Sequence, residues 1–195
     1  ELMIENKIRH LPVLKNKKIG LVVNITSTIG QKLSVDSMVA AGFSPSKIFA
    51  PEHGFRGESS NGASIANNID EKTGIPIISL YGKHLKPSAD DLKGLDVVVF
   101  DIQDVGARFY TYISTLHYVM EACAENNIPL LVLDRPNPNG FYVDGPVLEP
   151  AFKSFIGMHP VPIVYGMTIG EYAQMINGEK WLKDGIQCNL NVIPV

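Results

Sequence analysis

Cysteine is scarce: Cys123 and Cys188 are the only two in 195 residues, and they lie far apart. That excludes a disulfide framework and a paired-cysteine zinc site, and both thiols are expected to be small buried residues. Basic charge is also in short supply. The 17 Lys and Arg against 20 Asp and Glu leave a net charge of -3, which argues against a nucleic-acid-binding domain. No apolar run approaches the roughly 18 residues of a membrane span. The chain opens at Glu1 without a signal-peptide pattern, so the N-terminus names no compartment. There is no G-x-G-x-x-G after the first apolar run, no Walker A loop and no G-x-S-x-G. A dinucleotide site, nucleotide hydrolysis and a hydrolase elbow are therefore not indicated. No H-x-x-x-H occurs either, and neither metal nor cofactor is expected.

What is present is a series of short apolar runs, each closed by polar residues. Ile19–Val23 runs into Asn24, Thr26 and Ser27; Lys47–Ala50 into Pro51, Glu52 and His53; Ile75–Leu80 into Tyr81. Asp96–Phe100 runs into Asp101, Gln103 and Asp104, and Pro129–Leu133 into Asp134 and Arg135. Continuous apolar runs of this length fit strands covered on both faces, as in a parallel sheet. A last strand-like run covers Cys188–Val195. Helical patterns separate the runs. Residues 32–41 stop at Gly42, a short segment starts at Ser88, and the longest helix is predicted from Ala107 to Asn126. Thr168-Ile169-Gly170-Glu171 is a capping box opening a helix that stops at Gly178. The fold class is therefore α/β: an open, mostly parallel sheet with helices on both faces, in a chain sized for one domain. Residues 55–74 lack periodicity and read as a functional loop; residues 136–166, rich in Pro and Gly, read as an ordered excursion.

Ligands of open parallel sheets bind at the carboxyl ends of the strands. The ionisable residues fall there strand after strand. For any one of them, an ordinary polar loop explains its presence equally well; as a set they point to a site, because acids abutting apolar strands need partners. Glu52, held near the sheet and partly dry, suits a general acid, with His53 orienting it or binding substrate. Asp101, Gln103 and Asp104 follow the most apolar strand. Their D-x-x-D spacing, together with Asp134, admits a second reading, a Mg²⁺-dependent phosphohydrolase. Arg108, at the expected start of the long helix, opposes the macrodipole and calls for an acidic partner or an anionic ligand.

Several strings together carry a family resemblance. They are Phe49-Ala50-Pro51-Glu52-His53-Gly54-Phe55-Arg56-Gly57, the Val99–Tyr112 run FDIQDVGARFYTY within it, Leu133-Asp134-Arg135-Pro136-Asn137-Pro138 and Gly166-Met167-Thr168-Ile169-Gly170-Glu171. The chain resembles the exo-β-N-acetylmuramidase family (NamZ-like) from about Ile19 onward. The resemblance implies a Rossmann-like catalytic domain over residues 1–195, with the family's smaller C-terminal domain largely missing. It also implies a glycoside hydrolase that removes terminal N-acetylmuramic acid from the non-reducing end of peptidoglycan fragments, and hence residence in the cell envelope, periplasmic or secreted. Glycoside cleavage needs an acid and usually a second carboxylate. Glu52 is the expected acid. Asp101, Asp104 or Asp134 is the second carboxylate, unless the substrate's own 2-acetamido group attacks. Arg56, Arg108 or Arg135 would clamp the lactyl carboxylate, with Asn24, His53, Tyr81, Gln103 and Tyr110 as further substrate-binding candidates. A non-catalytic module that binds cell-wall fragments is the remaining alternative.

Overall fold

The computed structural model describes residues 14, 16–52, 54–57 and 68–195. In chain order the elements are β1 Ile19–Val23, β2 Thr28–Ile29, β3 Lys32–Leu33, α1 Ser34–Ala40, β4 Lys47–Ala50, β5 Asn68–Ile69 and β6 Pro76–Ser79. Then come α2 Ala89–Leu92, β7 Val97–Asp101, α3 Tyr112–Glu125, β8 Leu130–Leu133, α4 Ile169–Gly178 and β9 Leu190–Ile193. Seven strands form one sheet in the order β5-β6-β4-β1-β7-β8-β9. Every neighbouring pair is parallel except β5 with β6. Without the β5 edge this is the doubly wound order 3-2-1-4-5-6, and the switch point lies between β1 and β7.

Alternate side chains of each central strand enter two separate cores. Val22, Val98 and Phe100 face Ile113, Leu116, Met120 and Tyr172 from α3 and α4. Ile19, Leu21, Val23, Val97 and Val99 face Val35 and Met38 from α1. Helices thus cover both faces of the mostly parallel sheet, which is why its strands carry apolar residues without alternation. Each fully buried Leu, Ile or Phe here contributes on the order of 1.5–3 kcal/mol. Cys123 and Cys188 are free and buried, and burial raises both thiols.

Two helix starts differ from the sequence expectation. Lys32-Leu33 pairs with Thr28-Ile29 in a small hairpin, so α1 begins at Ser34 rather than residue 32. The long helix begins at Tyr112 rather than Ala107. Residues 107–111 are held by a distant partner instead: Ala107 bridges Val164, and the Arg108 N–H donates to Ile163 O at 2.8 Å. Both capping boxes are formed, Ser88 with Asp91 and Thr168 with Glu171. Residues 136–166 run as an ordered excursion with a single 3-10 turn at Pro150–Phe152. No described helix is long and apolar enough to cross a membrane.

Candidate active site

The sheet's register lays the candidate residues in a row. At the carboxyl edge Ser79 of β6 pairs with Ala50 of β4, and Val23 of β1 with Asp101 of β7. Tyr81 and Glu52 each lie two residues beyond the first pair, and Asn24 one beyond Val23. With strands about 4.8 Å apart, the strand bearing Glu52 adjoins that of Tyr81, lies ~10 Å from that of Asp101 and ~14 Å from that of Asp134.

Glu52 is half-buried on a loop fixed at successive points. The Gly54 N–H donates to Pro51 O at 3.1 Å, closing a turn, and Phe55 is buried in the α1 core. Gly57 takes φ +74 against the β1 loop, where a Cβ would meet Ile25 Cδ1 at 2.5 Å. Arg56 stacks over Phe55 and grips Asp70 through Nε and Nη2, at 2.6 and 2.7 Å, while Nη2 also reaches Asp36 at 3.0 Å. The guanidinium holds both carboxyls below their ordinary range. Arg56 is thus taken up in tying the Glu52 loop to α1 and to the residues after β5. Arg56→Met strands the buried Asp70 and is expected to lower stability by about 3 kcal/mol in urea denaturation at pH 7. His53 and residues 58–67 lie outside the described residues.

Two phenols flank Glu52. The Tyr81 hydroxyl hydrogen-bonds the Glu52 carboxylate, and that charge, then the bond, raises the phenol above its ordinary value. Tyr112, the first residue of α3, is raised chiefly by burial; the Asn24 side chain opposes this, and the charges of Glu52 and Asp104 add to it. Glu52, Asn24, Asp104 and Tyr112 therefore share one neighbourhood. Tyr112, inside the helix predicted from Ala107 to Asn126, was not among the expected site residues. Its signal was its position at the end of the F-D-I-Q-D-V-G-A-R-F-Y-T run.

The β1 and β7 loops are bolted together. Asn24 Oδ1 accepts from the Thr26 N–H at 2.9 Å and the Thr26 hydroxyl at 2.5 Å. Thr26 Oγ1 accepts from the Gln103 N–H at 3.0 Å, and Ser27 Oγ donates to Asp101 O. Asn24 Nδ2 is buried and completes no hydrogen bond of good geometry, although it is near enough to influence the Tyr112 phenol. Gln103 Nε2 donates to Asp104 O and Pro136 O, at 2.6 and 2.8 Å.

The three aspartates have different fates. Asp101 Oδ1 accepts from Arg135 Nε and Nη2, at 2.9 and 2.6 Å. Asp134 turns to the start of α4: Oδ1 accepts from the Gly170 N–H at 2.7 Å and Oδ2 from the Thr168 hydroxyl at 2.7 Å. Asp104 is buried. Its Oδ2 accepts from the Tyr165 hydroxyl and from the Gly106 N–H, whereas Oδ1 has no partner. Burial, the largest influence, raises its carboxyl above the ordinary value against those donors. Gly106 is required here: φ is +75, and a Cβ would meet Asn137 Oδ1 at 2.3 Å. Among the described residues no group of three His, Cys, Asp or Glu is placed to hold a metal ion.

Arg108 does not stand at a helix N-terminus, and among the described residues no acid forms an ion pair with it. It precedes α3, and its Nη1 donates to Pro146 O at 2.9 Å and Val161 O at 2.5 Å. The guanidinium answers the carbonyls of the 136–166 excursion, so the macrodipole argument does not apply to it. Tyr110 is exposed, in tilted contact with Phe109.

The family model described as exo-beta-N-acetylmuramidase NamZ, N-terminal, matches residues 19–195. The peptidoglycan beta-N-acetylmuramidase NamZ of Bacillus subtilis (strain 168) is 50% identical over 169 residues, 85% of this chain and 41% of that protein. Crystal structures of two DUF1343 family proteins from Bacteroides fragilis NCTC 9343 superpose with TM-scores of 0.87 and 0.86, at 47% and 41% identity. They cover 98% and 95% of this chain, and 50% and 47% of the solved chains. The chain thus spans half or less of the length of these relatives. Over nearly all its described residues, this chain belongs to the exo-beta-N-acetylmuramidase NamZ family, matching its N-terminal part.

Proposed function

We propose that the intact protein is an exo-acting glycoside hydrolase that releases N-acetylmuramic acid from the non-reducing end of peptidoglycan fragments, with Glu52 as general acid. The observation that carries this reading is the setting of Glu52: half-buried at the sheet's carboxyl edge, hydrogen-bonded by Tyr81 and beside Tyr112. A positioned, half-buried carboxyl at such an edge can protonate a leaving glycosidic oxygen. The activity named for the Bacillus subtilis relative supports the substrate class, and that substrate would place the protein's work in the cell envelope.

The second group follows from the fates of the aspartates. Asp134 is occupied by the α4 N-terminus, and its strand lies ~14 Å from that of Glu52, beyond the roughly 5–9.5 Å between paired glycosidase carboxyls. Asp101 is paired with Arg135. Asp104 has one oxygen taken by the Tyr165 hydroxyl and the Gly106 N–H, and its other oxygen is buried and completes no hydrogen bond of good geometry. We therefore assign attack on the anomeric carbon to the substrate's 2-acetamido oxygen, with Asp104 a hydrogen-bonding partner of that group. Glu52 protonates the departing oxygen, and water opens the cyclic intermediate. Arg135, beside Asp101 on the same edge, is assigned to the lactyl carboxylate.

The test is turnover by the intact protein of three chromogenic substrates: an N-acetylmuramic acid glycoside, an N-acetylglucosamine glycoside and a phosphate monoester, with and without EDTA. Release from the first alone, unchanged by EDTA, is expected. EDTA-sensitive phosphate release would favour the phosphohydrolase, and tight muropeptide binding without turnover the binding module.

A further inference from the structure

A buried polar chain crosses the molecule behind the site and takes no part in the chemistry above. It starts at the surface, where Lys86 Nζ meets Glu121 Oε1 at 2.6 Å and Glu125 Oε2 at 2.7 Å. Glu121 Oε2 accepts the Lys183 N–H at 2.8 Å and lies 3.6 Å from His117 Nε2. His117 Nδ1 then meets His159 Nε2 at 2.9 Å, and His159 Nδ1 meets the Tyr172 hydroxyl at 3.1 Å. His117, His159 and Tyr172 are all buried, and His159 stacks on Trp181. The Tyr172 ring lies edge-on to Tyr165 at 4.8 Å, and Tyr165 donates to Asp104.

The direction of this chain can be deduced. Only one proton fits between two imidazole nitrogens 2.9 Å apart. Glu121 is an acceptor held ionised by Lys86. At 3.6 Å the contact is long for a hydrogen bond. A lone pair facing that carboxylate would nonetheless be repelled, so His117 carries its proton on Nε2. Nδ1 is then the acceptor, His159 Nε2 must donate to it, and His159 Nδ1 must accept from Tyr172. Every group along the line is satisfied only in this one sense.

The chain also joins three pieces that sequence holds far apart: α3, which carries His117 and Glu121; the return limb of the 136–166 excursion, which carries His159; and α4, which carries Tyr172. That return limb ends in Tyr165 and supplies the carbonyls that Arg108 and its N–H bind.

We propose that His117 and His159 are positioning residues: a one-way hydrogen-bond line from Tyr172 to His117, oriented by the Glu121 carboxylate, that sets the excursion's return limb, and through Tyr165 fixes Asp104 at the site. The assignment of Asp104 to the reaction rests on the function proposed above; the geometry of the line does not.

Intact protein carrying ¹⁵N-histidine and ¹³C-carboxyl aspartate is the material for the test. Long-range ¹H–¹⁵N correlation in the wild type is expected to show both imidazoles neutral at pH 7 with the proton on Nε2. A proton on Nδ1 of either ring, or a charged ring at that pH, overturns the proposal. His117→Asn, whose amide oxygen falls near the place of Nδ1, and His117→Leu, which leaves His159 Nε2 without an acceptor, are then compared. His117→Leu is expected to move the Asp104 carboxyl resonance and to lower kcat about tenfold with KM within about twofold, and His117→Asn to restore both. An Asp104 resonance and kcat indifferent to His117→Leu also overturn it. Should His117→Leu fail to fold, the wild-type tautomers still decide. If the wild type turns over no muramic acid substrate, the proposed function fails, while tautomers and the Asp104 resonance continue to judge the line.

Discussion

Glu52→Gln is expected to lower muramic acid release by the intact protein on the order of 10³-fold, within the span that general acid catalysis supplies. The amide keeps the size and hydrogen-bonding reach of the carboxyl but has no proton to give the leaving oxygen. KM should change little, because loss of proton transfer acts on the transition state rather than on substrate binding. The loop itself should stay in place, since its anchors are Phe55, Gly57 on Ile25 and Arg56 on Asp70. An unchanged circular dichroism spectrum and urea midpoint are therefore part of the prediction. A substrate with an activated phenolic leaving group needs less protonation, so the loss should be smaller on it than on a natural muropeptide. Equal losses on the two would place the role of Glu52 elsewhere than in protonating the leaving group.

The second large effect is acid lability. Burial holds His117 down to about 4 and His159 to about 3, from an ordinary 6.5. The charges facing the pair are Glu121, which favours protonation of His117, and Lys86 and Lys153, which oppose it. The native chain keeps both rings neutral, whereas the unfolded chain takes up protons below 6.5. Stability is therefore complete above that value and falls as the pH drops, by up to about 1.4 kcal/mol per pH unit for each ring. Urea denaturation is expected to show about 4 kcal/mol less stability at pH 5 than at pH 7. His117→Asn should roughly halve that difference. Asp36 and Asp70 act later and in the same direction: their carboxyls are depressed by Arg56, so their contribution is present above the ordinary 3.8 and lost as the pH falls below it. A stability flat from pH 7 to pH 5 would mean that the histidine pair is hydrated or charged in the native state.

The sheet was legible because its strands are uninterrupted apolar runs, and the polar residues that close those runs lie along its carboxyl edge. Glu52 beside Tyr81 was implicit too, once β4 and β6 are neighbours in register. What sequence hid were contacts made across long separations. Ala107-Arg108 has helical spacing with α3, yet Gly106 and the pairing with residues 163–164 hold it out of the helix. Arg56 and Arg108 looked like clamps for an anion, because nothing local reveals that Asp36 and Asp70 claim Arg56 and that backbone carbonyls claim Arg108. Asp134 resembled a catalytic acid because its partner, the α4 N-terminus, lies beyond the whole excursion. His117 and His159 stand 42 residues apart, and nothing local to either shows the other. Only the His117–Glu121 spacing of four on one helix face hinted that a charge stood beside the first.

The carboxyl edge of this sheet, around Glu52, is expected to hold the scissile sugar. The measurement that tests it most directly is a crystal structure of the intact Glu52→Gln protein with a muropeptide ending in N-acetylmuramic acid. The account predicts the glycosidic oxygen about 3 Å from the residue-52 side chain, the sugar lying between Tyr81 and Tyr112, and the 2-acetamido group toward Asp104. A sugar seated away from that edge, or a residue-52 side chain turned from the glycosidic oxygen, would contradict it.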